Sequence, residues 1–193
     1  MIHSARFTAV LDACVLYPAP IRDPLLHLAS FELYTPKWTD RIHEEWRRNL
    51  LLKRLDLRPE QLDRTVQEMK KAFPDAGVEK YESLITSLQL PDEDDRHILA
   101  AAIRCKTDVI VTFNLKDFPS KAIEHFDIEA QHPDLFISNL IDLNPEKSVE
   151  AFLKQVSFLR NPPKSELQVL DTLKNCGLDA ATSKLAEKLK LSL

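Results

Sequence analysis

Glycine is nearly absent from this sequence of 193 residues, in which Gly77 and Gly177 are the only two. Loops that hold phosphate groups through backbone amides need several glycines close together. The scarcity of glycine therefore excludes P-loop, kinase-type and dinucleotide-binding sites from the candidate functions.

Cysteines and long apolar runs are also scarce. Cys14, Cys105 and Cys176 are odd in number and far apart, so they indicate reduced thiols and neither a disulfide framework nor a paired zinc site. No apolar run reaches the length of about 18 residues that a membrane helix needs, and Phe7 to Leu11 is too short for a signal core. We expect a cytoplasmic protein without a membrane segment.

A positive net charge is missing as well, because the formal charge is -4. Binding to nucleic acid would then depend on a local basic patch rather than on the field of the whole protein. The best candidate for phosphate or RNA contact lies on and after one predicted helix, although such a charge run is also typical of a solvated face. Its members are Arg47, Arg48, Lys53, Arg54 and Arg58.

Strands and helices are predicted to alternate up to about residue 130, after which only helices follow. Asp134 is interpreted as a cap of the helix that follows it. The predicted strands are Arg6–Leu11, Glu32–Thr35, Val109–Thr112 and Asp127–Ala130. The predicted helices are Pro24–Ser30, a helix capped by Thr39 and running to Lys53, one between Pro59 and Pro74, Lys80–Ser87, Asp95–Arg104, Leu135–Leu143, Glu146–Leu159, Ser165–Asn175 and Leu178–Lys190.

This order predicts an α/β fold with a mainly parallel sheet, followed by C-terminal helices. We expect one α/β domain over residues 1–143 and a helical extension over residues 144–193.

Several acidic side chains are predicted to meet at the carboxyl edge of the sheet, where ligands bind in open parallel sheets. Asp12 follows the first strand, and Asn114 and Asp117 follow the strand that starts at Val109. The helix that starts at Asp95 has about the length of the strand after it, so its amino end with Asp92 and Asp95 should return to the same edge.

Helical phase selects Glu45 over its neighbour Glu44. Ile42, Trp46 and Leu50 form an apolar stripe at four-residue spacing, which indicates the buried face. At about 100° per residue, Glu45 lies next to this stripe, whereas Glu44 points away from it. Glu45 therefore joins the acidic set.

Converging carboxylates repel each other unless a cation lies between them. Oxygen ligands favour Mg²⁺ or Mn²⁺ over zinc, which prefers histidine or cysteine. Taken singly, Asp92 and Asp95 are more typical of helix capping than of a metal site, and Asp117 is typical of a turn or a cap. Their shared edge favours a metal site that could cleave a phosphodiester.

Four segments together resemble the PIN-domain family, and in particular its VapC-type ribonuclease toxins with a C-terminal helical extension. The resemblance covers about residues 6–130. The segments are Val10-Leu11-Asp12-Ala13, Ile42-His43-Glu44-Glu45-Trp46, Pro91 to Ala102 with Asp92 and Asp95, and Val109 to Phe118 with Asp117.

This resemblance implies a PIN-like three-layer α/β/α fold and a Mg²⁺- or Mn²⁺-dependent endoribonuclease, the toxin of a type II toxin-antitoxin module. It implies an RNA substrate, a cognate antitoxin and a homodimer. Cys14 departs from the pattern, since many PIN domains have a polar residue such as Asn there. A non-catalytic PIN-like binding module and a haloacid dehalogenase-type phosphohydrolase remain alternatives. The metal ligands that the resemblance implies are Asp12, Glu45, Asp92, Asp95 and Asp117. All of these except Asp92 are also implied catalytic residues. The polar neighbours that it implies are Thr112 and Asn114.

Overall fold

The computed structural model describes residues 7–191, so Arg6 of the first predicted strand lies outside the described residues. The chain forms two compact units. One contains the described residues up to Tyr17 together with Thr35–Gln131, and the other contains Pro18–Tyr34 and the residues from His132 onward. The predicted division between residues 143 and 144 stays a prediction. No helix within residues 7–191 has the length and apolar character needed to cross a membrane.

The first unit is built on a parallel sheet of four strands, as the alternation of strands and helices predicted. The strands are β1 (Thr8–Leu11), β2 (Thr35–Lys37), β3 (Val109–Val111) and β4 (Glu129–Gln131), in the spatial order β2-β1-β3-β4. Leu11 pairs with Val111, so β1 and β3 end at the same level of the sheet. Ala9, Val10 and Leu11 are fully buried, as expected for the near-continuous apolar runs of parallel strands.

The helices of the first unit hold the acidic segments. The helix Arg96–Cys105, which is rich in alanine, packs against β1 and β3. Its small side chains allow a close approach to the sheet, and Ala100, Ala101 and Ala102 are fully buried. These helices are α1 (Ala13–Leu16), α3 (Asp40–Lys53), α4 (Pro59–Ala72), α5 (Glu82–Ile85), α6 (Arg96–Cys105) and α7 (Ser120–Ile123), with 3₁₀ turns at Leu115–Asp117 and Glu124–Phe126.

The second unit is helical. Its helix Ala19–Ser30 packs mainly against Pro145–Phe158, and its helix Pro133–Leu143 packs mainly against Asp179–Leu189. Tyr34 links two segments of this unit, because its hydroxyl donates to the Leu25 carbonyl at 3.0 Å and its ring packs edge-on against Phe136 at 4.9 Å. In chain order the helices are α2 (Ala19–Ser30), α8 (Pro133–Leu143), α9 (Pro145–Phe158), α10 (Glu166–Asn175) and α11 (Asp179–Leu189).

Two predicted element starts differ from the structure by three residues or more. The second strand begins at Thr35 rather than Glu32, because Glu32 adopts a left-handed conformation with φ of 63°. The Leu33 amide donates a hydrogen bond to the Leu28 carbonyl. This arrangement ends the preceding helix, so the strand begins later in the sequence than predicted. The first long helix begins at Ala19 rather than Pro24, since Pro20 in its first turn needs no amide partner.

Asp134 caps a different helix from the one predicted. His132, not Asp134, is the N-cap of α8, and its Nδ1 accepts from the Asp134 amide. The Asp134 carboxylate instead accepts hydrogen bonds from the amides of Ala180 and Ala181 at 3.0 and 2.8 Å. It therefore stabilises the amino end of α11, which is distant in sequence.

Candidate active site

A cleft of about 530 Å³ in the first unit contains three of the predicted carboxylates, Asp12, Glu45 and Asp95. Its volume lies within the range of about 300–1,000 Å³ that is usual for ligand pockets. The other described residues that line it are Ala13, Cys14, Tyr17, Asn49, Leu52, Lys53 and Asn114.

Asp12 reaches the cleft because it directly follows β1. The pairing of Leu11 with Val111 places Asp12 beside Thr112, the next residue after each strand. The fully buried Thr112 hydroxyl donates to Asp12 Oδ2 at 2.6 Å, a length typical of a strong hydrogen bond to a charged oxygen. Asp12 is itself only 4% exposed, so burial and the hydrogen bond from Thr112 restrict the orientation of its carboxylate.

Cys14 contributes a second hydrogen bond to Asp12, a contact that the sequence did not indicate. Its thiol donates to Asp12 Oδ2 at 3.0 Å and accepts from the Phe113 amide at 3.3 Å. Burial, together with the adjacent Asp12 charge, raises the pKa of the Cys14 thiol. Cys14 is therefore a neutral donor here and takes the place where a polar residue was expected.

Thr112 and Asn114, the predicted polar neighbours, both lie at this edge. The backbone N–H of Asn114 donates to Thr112 Oγ1 at 3.0 Å. This bond fixes the hydroxyl that donates to Asp12. Asn114 itself lines the cleft. The strand end after β3 thus supports Asp12 through hydrogen bonds.

Glu45 enters the cleft from α3, whose start is capped by Thr39 through a hydrogen bond to the Ile42 amide. The helical-phase prediction is confirmed, because the Glu45 side chain is 20% exposed whereas Glu44 is exposed to solvent. Glu45 Oε1 lies 3.0 Å from His97 Nε2 and 3.3 Å from Arg41 Nε. Burial acts to raise the pKa of Glu45, but the interactions with His97 and Arg41 outweigh it and lower the pKa.

Asp95 is the carboxylate most affected by the others. It occupies the N-cap position of α6, yet its side chain forms no capping bond to that helix. Burial, together with the charges of the other predicted acids, raises its pKa to about 7. In decreasing order, those acids are Asp12, Asp92, Asp117 and Glu45.

Asp92 and Asp117 lie outside the described residues that line the cleft, although both act on Asp95 electrostatically. Asp92 is exposed and accepts a local hydrogen bond from the Asp94 amide at 2.9 Å, and Asp117 is half-buried in a 3₁₀ turn. Within residues 7–191, no three acidic, histidine or cysteine side chains are grouped closely enough to hold one ion.

The predicted basic residues differ in their surroundings. Lys53 lines the cleft, with its ammonium 5.6 Å from the centre of the Tyr17 ring. Arg47 forms an ion pair with Asp63, and Arg54 forms one with Asp56. Arg48 is exposed on α3. Their contact with RNA stays a prediction, and of these residues Lys53 is the one in the described lining of the cleft.

Two known protein families match separate parts of the chain. The PIN domain family matches residues 8–116, and the VapC50 C-terminal domain family matches residues 133–187. A Mycobacterium tuberculosis protein named "Putative ribonuclease VapC50" is 43% identical over 79 residues, which are 41% of this chain and 47% of that relative. The chain therefore matches about half the length of this curated relative. No solved structure matches.

The PIN match spans more than half of the chain and contains Asp12, Glu45, Asp92, Asp95, Thr112 and Asn114, and it ends one residue before Asp117. The parallel sheet with its helices confirms the predicted PIN-like α/β/α fold class. The second match lies in the C-terminal helices. The chain belongs to the PIN-domain family and is a VapC-type member with a C-terminal extension.

Proposed function

We propose that this protein is an endoribonuclease that depends on Mg²⁺ or Mn²⁺ and hydrolyses RNA phosphodiesters. The observation that carries the proposal is that Asp12, Glu45 and Asp95, from three separate segments, line one cleft. The ribonuclease name of the relative supports the same reaction class.

The chemistry of the donor set fits a hard divalent ion. The residues that line the cleft carry carboxylate groups and, at Asn114, an amide group, and hard ions such as Mg²⁺ and Mn²⁺ prefer oxygen ligands. Burial, and then the charges of the neighbouring acids, raise the pKa of Asp95. Carboxylates that repel one another in this way favour either a proton or a cation between them. We propose that Asp12, Glu45 and Asp95 would hold the ion partly through bound water, which Mg²⁺ commonly retains, because the three side chains are not grouped closely enough to hold it directly. Asp92 and Asp117 would be further acidic residues around them.

When bound, a divalent ion would activate water and neutralise charge on the scissile phosphate. The side chains of this chain would prepare that site. Thr112 and Cys14 hold the Asp12 carboxylate in place, and His97 and Arg41 hold that of Glu45. Lys53, which lines the same cleft, would pair with an RNA phosphate.

The direct test is cleavage of a mixed RNA substrate by purified full-length protein with Mg²⁺ or Mn²⁺. We expect Asp12→Asn to reduce cleavage by about 100-fold or more, because lost electrostatic stabilisation at an active site commonly costs this much. Asp94→Asn is the matched control, since Asp94 is exposed and outside the cleft lining. Equal cleavage by wild type and Asp12→Asn would contradict the proposal and favour a binding module without catalysis.

We further propose that the protein is the toxin of a toxin-antitoxin pair, restrained by a small antitoxin that covers the acidic cleft. The support is the VapC-type C-terminal domain match and the VapC name of the relative. Induced expression of wild type should arrest bacterial growth, whereas expression of Asp12→Asn should not. Arrest by both variants would show that the toxicity does not depend on this site. A homodimer and a cytoplasmic location stay predictions.

A further inference from the structure

The strongest feature outside the predicted site is His97, which lies in α6 two residues after Asp95. Its side chain is 1% exposed, and its Nε2 lies 3.0 Å from Glu45 Oε1. Glu45 belongs to α3, so this single hydrogen bond connects the two helices that supply Glu45 and Asp95 to the cleft. The proposed function does not require His97, and the sequence motifs gave it no role.

The hydrogen bond assigns a proton to Nε2 of His97, because the carboxylate of Glu45 can only accept. The other ring nitrogen, Nδ1, is buried and has no hydrogen-bond partner within the described residues. A histidine that orients a carboxylate needs only one N–H. His97 therefore acts as a fixed directional donor to Glu45.

Glu45 Oε1 has a second donor, Arg41 Nε, at 3.3 Å. Arg41 is 42% exposed and lies one turn earlier on the same helix. A half-exposed pair of this kind contributes little and is screened by salt. His97 is buried and comes from another helix, so it restricts the Glu45 carboxylate more strongly than Arg41 does.

We propose that His97 is a positioning residue that holds Glu45 in the orientation required to bind the divalent ion together with Asp95. This inference rests on the proposed function, because it assigns Glu45 to the ion. Hydrogen-bond partners that orient metal ligands commonly contribute about 10- to 100-fold to metal affinity. The competing explanation is that His97 only stabilises the packing of α6 against α3.

Mn²⁺ binding to the full-length protein, measured by calorimetry, separates these explanations. His97→Leu removes the donor and keeps an apolar side chain of similar size, and we expect it to raise the Kd for Mn²⁺ by about 10- to 100-fold. His97→Gln can place an amide N–H near the original Nε2 position and should restore most of the affinity. His43→Leu is the matched control, because His43 is also buried in this unit and its Nδ1 accepts a hydrogen bond from Trp46 Nε1.

A double-mutant cycle with Glu45→Gln shows whether His97 acts through Glu45. If it does, His97→Leu should have little further effect on the Kd once Glu45 is neutral, since coupled residues give non-additive changes. Additive effects, or an unchanged Kd in His97→Leu despite lower thermal stability, would overturn the proposal in favour of a packing role. If His97→Leu does not fold, the comparison of His97→Gln with the shorter His97→Asn tests the same bond.

The cycle also separates this inference from the proposed function. If Asp12→Asn and Glu45→Gln both leave Mn²⁺ affinity unchanged, the assignment of the ion to this cleft fails. If both weaken Mn²⁺ binding but His97→Leu does not, only the positioning role fails.

Discussion

Neutralising Asp95 should stabilise the metal-free protein while removing its response to metal. The reason is that Asp95 carries a half-buried carboxyl among four other acids, and burial together with their charges raises its pKa from 3.8 to about 7. Ionising such a group in the folded state costs free energy that the unfolded chain does not incur. Asp95→Asn removes this cost and keeps the shape of the side chain.

The sign of the pH dependence follows from the raised pKa. Between about pH 4 and pH 7 the folded state keeps a proton on Asp95 that the unfolded state has lost, so wild-type stability falls as the pH rises. Each tenfold change in proton affinity is worth about 1.4 kcal/mol, which sets an upper limit of about 4 kcal/mol for this loss. Because solvent screens a half-exposed group, we expect Asp95→Asn to gain about 1–2 kcal/mol at pH 8 and almost nothing at pH 4.

Urea unfolding without metal, at pH 4, 6 and 8, measures this gain directly. In thermal unfolding at pH 8 the same gain should raise the Tm by about 2–8 °C for a chain of this size. With Mn²⁺ at about 100 times its Kd, the wild type should be stabilised by about 2.7 kcal/mol. Asp95→Asn should lose most of this response, so the order of stability of the two proteins reverses.

Asp94→Asn is the control for charge alone, because Asp94 is exposed and adjacent in sequence. It should change the free energy of unfolding by less than about 0.5 kcal/mol at every pH. The reasoning is refuted if Asp95→Asn is less stable than wild type at pH 8 without metal. It is also refuted if the gain is the same at pH 4 and pH 8.

Three further changes test other contacts. Thr112→Val removes the buried hydroxyl that donates to Asp12 and should lower the free energy of unfolding in urea by about 2 kcal/mol. Thr112→Ser keeps the donor and should lower it less, and equal losses of stability in the two variants would contradict a role for the hydroxyl. Lys53→Gln, in an inactive Asp12→Asn background, should weaken RNA binding in fluorescence anisotropy and lower the salt dependence by about one phosphate contact. Arg54→Gln should have a smaller effect because Arg54 is already paired, and the reverse order would exclude Lys53 as the contact. Asp134→Ala should destabilise α11 by about 1 kcal/mol in thermal unfolding, and an unchanged Tm would show that its capping bonds contribute nothing.

Periodicity along the chain was sufficient to predict the order of strands and helices and the parallel sheet. Helical phase separated Glu45 from Glu44, because the buried side of α3 is set by the spacing of its own apolar residues. Strand ends likewise placed Asp12 and Thr112 at one edge, since parallel strands end together. These predictions needed only local pattern and the rules of strand pairing.

The boundary of β2 could not be read from composition. Residues Glu32 to Thr35 include apolar and β-branched side chains, which favour a strand. The observed start at Thr35 depends on how α2 ends, with Glu32 in a left-handed conformation and its neighbour bonded back to the helix. Backbone hydrogen bonds at the helix end, which the sequence pattern does not encode, decided this boundary.

The sequence by itself determined that Asp12, Glu45 and Asp95 could meet, because strand ends and helical phase depend on neighbouring residues. Only the tertiary structure decided which other side chains hold them. Cys14 donates to Asp12, and His97 from α6 donates to Glu45 of α3. A hydrogen bond requires atoms within about 3 Å at a defined angle, and such geometry between separate segments is set by packing rather than by local sequence.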